Sequence, residues 1–438
     1  MATTIQFLLN CQNIEFEISM NSRENLQRTL NHQQPDRVVC DFGGTAVTGI
    51  HCLAVKNLRK HFGLEDRPVK VVEPFQMLGE VDDELINAIG TDVVGAYGKN
   101  NMFGIANNEC EWKRYTTNWG QEVQVPFDFN TTIDVDGSTL IYPGGDTSLG
   151  PNARMPKAGY FFDAIIRQEP IDDENLNPEN NLEEFEPISE ATLDYWERTI
   201  RIQAAKGKGV IASLGGTALG DIALVPGMQL KNPKGIRDVA DWYMSTVLRP
   251  DYIHAIFEKQ TEIAIANFSR IYQRIGNQID AVFICGTDFG TQESTFCSPE
   301  DFKSLYLPYY RRINDWMHLH TNWKSFKHSC GAVETFMPLF IEAGFDIINP
   351  VQISARGMDP AHLKKEFGKE LVFWGGGVDT QKMLAFGKPS DVRKQVLENC
   401  TIFAKDGGFV FNTVHNILSD VPPENIVAMF EAVKEFDN

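Results

Sequence analysis

Eight short runs of β-branched and aromatic residues, bounded mostly by glycine, aspartate or asparagine, constrain the fold of this chain more than any other feature. They read RVVCDFGG (37–44), DVVGAYG (92–98), GVIASLGG (209–216), AVFICGTD (281–288), SFKHSCG (325–331), DIINPVQ (346–352), LVFWGGG (371–377) and FVFNTVHN (409–416). Each is apolar along most of its length, so each needs cover on both faces, which is the demand of a parallel sheet. Helical periodicity separates the later runs. Val333, Phe336, Met337, Phe340 and Ile341 recur at helical spacing, with Gly344 where the helix should stop. Ile426, Met429, Phe430 and Val433 repeat that spacing behind Asp420 and the Pro422-Pro423 pair, and a further helix begins near Ser390 and closes at Gly407-Gly408. The alternation predicts an α/β chain folded as a single (β/α)8 TIM barrel, with an open doubly wound sheet as the alternative.

The 438 residues are enough for such a barrel with something added. Residues 20–438 are assigned to the barrel and 1–19 to an N-terminal extension expected to be disordered or a start-site artefact. Between the second and third runs, residues 99–190 carry Trp112, Trp119 and turn sequences such as YPGGD but little helical period. They predict a β-rich insertion after the second strand, lying over the barrel mouth. Its acidic tail, 169–190, has no Lys or Arg and reads as a solvated loop.

Several function classes drop out on composition. A net charge of −19 offers no basic stripe for a phosphate backbone, so nucleic acid is not an expected partner. No apolar run approaches the ~18 residues that cross a bilayer, and no Lys or Arg precedes Arg23, so neither a membrane span nor a signal peptide is expected. A cytoplasmic protein follows as the expectation. The eight cysteines, at 11, 40, 52, 110, 285, 297, 330 and 400, are scattered and expected to be reduced.

In a barrel of this type the chemistry collects where strands end and βα loops begin. Those positions here are Asp41, Gly215-Gly216, Asp288, His328 with Cys330, Gln352, Gly375 to Gly377 with Asp379, and His415-Asn416. Residues i and i+2 of a strand share a face, so His328 and Cys330 can reach one ion. Imidazole nitrogen and thiolate sulfur are preferred zinc ligands, and a catalytic zinc keeps three protein ligands and an open position. His415 supplies a third candidate. Alone, a His-x-Cys is more often a small apolar cysteine beside a satisfied histidine. Asp288 and Cys297 are further ligand candidates, although Ser298-Pro299-Glu300 makes Cys297 equally the residue before a helix cap. His318 and His320 have no evident partner. Gly375, Gly376, Gly377 and Asp379 form a stretch whose amides could cradle an anionic cofactor, a role that tight turns explain as well.

With these motifs in view, the chain from Asn21 to Phe436 resembles the uroporphyrinogen decarboxylase superfamily. The marks are NSRENLQRTLNHQQPDRV, GTDFGTQESTFCSPEDFKSLYLPYY, KHSCGAVETFMPLFIEAGFDIINPVQ, FWGGGVDTQ and FNTVHNILSDVPPENIVAMFEAVKEF. The resemblance implies the (β/α)8 fold and either tetrapyrrole decarboxylation or methyl transfer linked to a corrinoid (cobalamin) protein, a branch of one-carbon metabolism. The decarboxylase pattern has two arginines in the loop after the first strand. Here that loop reads DFGGTAVTGIHCLAVKNLRKHFG, with no arginine before Arg59. In the methyltransferase branch a His-x-Cys and a later cysteine hold zinc. His328 and Cys330 match the pair, and His415 stands where the later cysteine is expected. One thiolate and two neutral imidazoles would leave the site at a net +1, a stronger Lewis acid than a two-thiolate site. The resemblance thus implies a zinc methyltransferase with a corrinoid protein and a small methyl donor or acceptor as partners, Asp288 and His415 as catalytic residues, and a homodimer as an open question. A metal-independent decarboxylase and a non-catalytic tetrapyrrole- or corrinoid-binding protein are the alternatives.

Overall fold

The computed structural model describes residues 20–437; the expectation for residues 1–19 falls outside them. Each of the eight predicted runs coincides with a barrel strand, β5 starting one residue early: β1 (Val39–Cys40), β2 (Val93–Ala96), β3 (Gly209–Ala212), β4 (Ala281–Cys285), β5 (Lys324–His328), β6 (Ile347–Asn349), β7 (Val372–Trp374) and β8 (Phe409–Phe411). They pair in parallel in the order β1-β8-β7-β6-β5-β4-β3-β2. The ladder is missing only between β1 and β2. Local bonds bridge that seam: Asp92 donates its amide to the Cys40 carbonyl at 2.7 Å, and its carboxylate accepts the Cys40 amide at 3.0 Å.

Strand alternation sorts the side chains. Val39, Val93, Ile211, Ala281, Phe326, Ile347, Val372, Trp374 and Val410 fill the barrel interior, while Val94, Val210, Val282, Ile348, Phe373 and Phe411 pack under the outer helices. The helix Ser22–Leu30 plugs the N-terminal end, started by a reciprocal capping box between Asn21 and Glu24. Its Leu26 and Leu30 join the interior cluster, and burial of this kind contributes about 1.5–3 kcal/mol per leucine. The predicted later helices are present as Met337–Glu342, Pro389–Phe403 and Pro423–Phe436.

The insertion is β-rich, as expected. Thr131–Ile133, Thr139–Ile141, Ala153–Met155 and Asp163–Ala164 form one four-stranded sheet, and Trp112–Thr116 pairs with Glu122–Pro126 in a second. That second sheet also recruits Val69–Glu73 and Leu78–Gly79, which precede β2. The extra structure therefore draws on both sides of the second barrel strand. The acidic tail also departs from a purely solvated loop. Glu184 holds the buried Arg237 guanidinium through Nη1 at 2.7 Å and Nη2 at 3.1 Å.

Candidate metal centre

His328 is the last residue of β5 and lies on the same side as the interior Phe326, so the strand aims its ring into the mouth end of the barrel. Cys330 follows two residues on, with Sγ 3.4 Å from His328 Nε2. His415 arrives from the loop after β8, its ring centroid 5.6 Å from that of His328. Ligand atoms of these three residues all lie within 4.8 Å of one another. Zn–N and Zn–S bonds of about 2.1 and 2.3 Å at a tetrahedral angle separate N from S by about 3.6 Å, so the His328–Cys330 pair already stands at zinc spacing. Among the described residues this is the one His/Cys/Asp/Glu group of that compactness, and neither Asp288 nor Cys297 belongs to it.

Each member is held from behind. Asn349 Oδ1, at the end of β6, lies 2.6 Å from His328 Nδ1, and Asn349 Nδ2 donates to the Trp374 carbonyl at 2.8 Å. Because the Asn349 amide nitrogen is committed to that carbonyl, its oxygen must accept, which places the His328 proton on Nδ1 and leaves the Nε2 lone pair facing Cys330 and His415. The bonds continue across the barrel: Trp374 Nε1 donates to Asp41 Oδ2 at 2.9 Å, and Asp41 Oδ1 accepts the Gly44 amide at 2.8 Å. Burial pushes the Asp41 carboxyl up to about 6 despite these donors. Thr413 donates its hydroxyl to the His415 carbonyl. Asn416 fixes the next step by accepting the Gly49 amide at 2.6 Å and donating to Ala46 O at 2.8 Å.

Asp288 stands beside the triplet. Its Oδ1 accepts the Cys330 amide at 2.7 Å, and Tyr243 donates its hydroxyl to the Asp288 carbonyl at 2.9 Å. The loops after β4 and β5 are stitched further by Phe289 N to Ser329 Oγ at 3.0 Å and Ala332 N to Thr291 O at 2.7 Å. Gly331 makes that approach possible. Its φ is +92°, and a Cβ there would meet the Gly290 carbonyl carbon at 2.3 Å.

The electrostatics suit soft-metal ligation. Burial, the largest cause for each, lowers His328 and His415 to about 4, so both rings are neutral at pH 7 with free lone pairs. Burial, reinforced by the Asp288 carboxylate, pushes the Cys330 thiol well above its usual range, and burial also raises Asp288. A dication at the triplet would reverse the sign for Cys330 by stabilising its thiolate.

The other candidates sit elsewhere in the wall. Gly375 and Gly377 spend their amides on the carbonyls of Val410 and Asn412, at 3.0 and 2.9 Å. A Cβ on Gly376 would strike Val351 at 2.8 Å. Asp379 caps the following turn, its carboxylate accepting from the amides of Gln381, Lys382 and Met383. Cys297 directly precedes Ser298, which caps the helix Pro299–Leu305. His318 bonds Asp346 at 2.8 Å and His320 bonds the Trp316 carbonyl at 2.8 Å, both away from the triplet. Asn349 and Gln352, whose Oε1 accepts the Gly331 amide at 2.7 Å, hold the site from β6 and the loop behind it. Gln352 stands at a predicted strand end; Asn349 carries no local signal in the sequence.

Comparisons with known proteins agree with this architecture. The family profile described as uroporphyrinogen decarboxylase (URO-D) matches residues 165–436. The uroporphyrinogen decarboxylase of Trichodesmium erythraeum is 24% identical over 292 residues, covering 65% of this chain and 75% of that protein. The Synechocystis enzyme of the same name is 22% identical over 288 residues, covering 65% and 76%. Among solved structures, a methyltransferase from Methanosarcina mazei aligns over 96% of this chain and all of its own, with a TM-score of 0.53 at 14% identity, a likeness of fold. The β5 and β8 loops that assemble His328, Cys330 and His415 lie inside the profile match, and on that match the chain belongs to the uroporphyrinogen decarboxylase family.

Proposed function

We propose that this chain is a zinc-dependent methyltransferase that moves a methyl group between a small substrate, such as a methyl ether or thiol, and a corrinoid protein in the cytoplasm. The observation that carries the proposal is the His328, Cys330 and His415 triplet, with the His328 tautomer set by Asn349 for ligation through Nε2. These three residues would hold the metal. When bound, zinc supplies Lewis acidity to a thiol or ether oxygen of the substrate. Asp288 has two tasks in this reading. Its carboxylate fixes the Cys330 backbone, and it is the base placed to take the Cys330 proton on metal binding, its hold on that proton strengthened by burial; once protonated, it is the acid placed to return the proton to the atom that loses the methyl group.

The loop after β1 weighs against a polycarboxylate substrate. Its nearest arginine, Arg59, is 4% exposed and bound to Asp82 at 2.5 Å, Glu84 at 2.8 Å and the Glu65 carbonyl. It has no free donor fork for a macrocycle's carboxylates. The runner-up, a metal-independent decarboxylase, draws its support from the named function of the cyanobacterial relatives.

Absorbance separates the two. The protein is mixed with free Co(I) cobalamin and an aryl methyl ether or methylated thiol, and in parallel with uroporphyrinogen alone. Methyl transfer predicts enzyme-dependent loss of the Co(I) band and no decarboxylation. Release of carbon dioxide from the porphyrinogen without cobalt would overturn the proposal.

A further inference from the structure

Lys327 lies one residue before His328, so it faces the helix layer while His328 faces the interior. It is fully buried, in surroundings made by Phe289, Tyr310 and Cys285. Among the described residues no carboxylate stands at ion-pair distance from its ammonium. Asp221 and Asp288 act on it only through space, so a cation buried without a contact ion pair is costly, and a methionine would fill the same space at less cost if packing were all that was required.

What the ammonium bonds explains its presence. Nζ donates to the Thr287 carbonyl at 2.7 Å and to the His328 carbonyl at 2.5 Å. The first carbonyl belongs to the peptide that leads into Asp288, and the second to the peptide between His328 and Ser329. One charged group thus grips the loop carrying Asp288 and the loop carrying Cys330 at the point where both leave the barrel. Phe289, next to Asp288, closes over it with its ring centroid 5.1 Å from Nζ, and Tyr310 lies at 5.7 Å. The bonds that the Cys330 amide donates to Asp288 and the Phe289 amide donates to Ser329 Oγ tie the same two loops on the site side. Lys327 is their counterpart on the helix side.

We infer that Lys327 is a positioning residue for the metal site: its buried ammonium sets the spacing of the two loops so that His328 and Cys330 meet one ion. The inference rests on the metal reading above and is tested separately from it. In the full-length protein, Lys327→Met removes both donors at similar volume, and Lys327→Gln keeps one. Zinc affinity is measured by competition with a chromophoric chelator, coordination by the ligand-field absorption of the Co(II)-loaded protein, and folding by thermal unfolding of the metal-free form.

Outer partners of metal ligands are typically worth about 10–100-fold in affinity. Lys327→Met is expected to weaken zinc binding in that range and to shift the Co(II) bands without lowering the metal-free midpoint, with Lys327→Gln between it and wild type. Zinc affinity within about twofold of wild type and an unchanged Co(II) spectrum would overturn the inference, whatever the midpoint does. If Lys327→Met does not fold, the Gln variant is judged by the same criteria, and its failure to fold as well would make Lys327 a folding residue and overturn the inference. A wild type that takes up no zinc removes the metal reading and this inference together. A wild type that binds, with variants that bind equally, removes the inference alone.

Discussion

Asn349 separates two contributions that usually come mixed, support of a ligand and support of the fold. Its side chain is fully buried, accepts the His328 Nδ1 proton at 2.6 Å and donates to Trp374 O at 2.8 Å. Asn349→Leu keeps the heavy-atom count and the branching at Cγ and deletes both bonds. Two buried polar groups are then orphaned, at about 1–3 kcal/mol each. The added apolar burial returns about 1.5–3 kcal/mol, so the net loss of stability is roughly 0.5–3 kcal/mol. His328 also loses the partner that fixes its tautomer, and zinc affinity should fall about 10–100-fold. Asn349→Asp retains an acceptor for His328 but turns a carboxylate toward Trp374 O. It should keep zinc affinity within a few-fold of wild type while losing more stability than the leucine variant. Urea unfolding of the metal-free proteins gives the first quantity and chelator competition the second. Equal zinc affinity in wild type and Asn349→Leu would refute the reasoning, because the β6 contact would then have no part in presenting Nε2.

Three further outcomes follow from the geometry. Gly331→Ala places a Cβ 2.3 Å from a backbone carbon at φ +92° and should cost about 2–5 kcal/mol by thermal unfolding; a loss under about 0.5 kcal/mol would contradict the close approach of the two loops. The buried histidines should pull metal-free stability down between pH 6.5 and 4. His51, His328 and His415, each held near 4, favour folding above the unfolded value of 6.5 and lose that contribution as pH falls through 4. Asp41 and Glu73, raised to about 6 and about 7, act in the opposite sense: their contribution is present at low pH and lost as pH rises. Asp221 and Asp288, also raised by burial, act with those carboxyls, so the histidine contribution is read by difference: the loss of stability from pH 6.5 to 4 should be smaller in His51→Asn than in wild type, and an equal loss would contradict a buried, neutral His51. His415→Cys should retain zinc but bring the site from a net +1 to neutral, slowing methyl transfer by about tenfold, the effect of a one-unit change in the bound group's pKa; an unchanged rate would show that the histidine does not tune the chemistry.

The barrel was legible because each strand is a local event: a short β-branched run, a terminating glycine or polar residue, then a helical repeat. The His328, Cys330 and His415 triplet was legible for a related reason, since barrel topology carries every strand end to one face. Residues that depend on the register between strands escaped. Asn349 meets His328 only because His328 pairs with Asn349 across β5 and β6, and Trp374 meets Asp41 across the interior from a position 333 residues away. Lys327 reads locally as a polar residue in a strand; its bond to the Thr287 carbonyl appears only once β4 is alongside. The glycines 375–377 suggested an anion cradle because composition does not reveal that two of their amides are spent on β8 and the segment after it. Val69–Glu73 likewise acquires its meaning only by pairing with Glu122–Pro126, some fifty residues on.

Metal analysis of the purified protein tests the central claim most directly, with wild type beside Cys330→Ser and His415→Ala. Wild type should carry about one equivalent of zinc, and each variant well under half of that after dialysis against a weak chelator. A wild type with only a trace of zinc, or variants that hold as much as wild type, would contradict a site built from His328, Cys330 and His415.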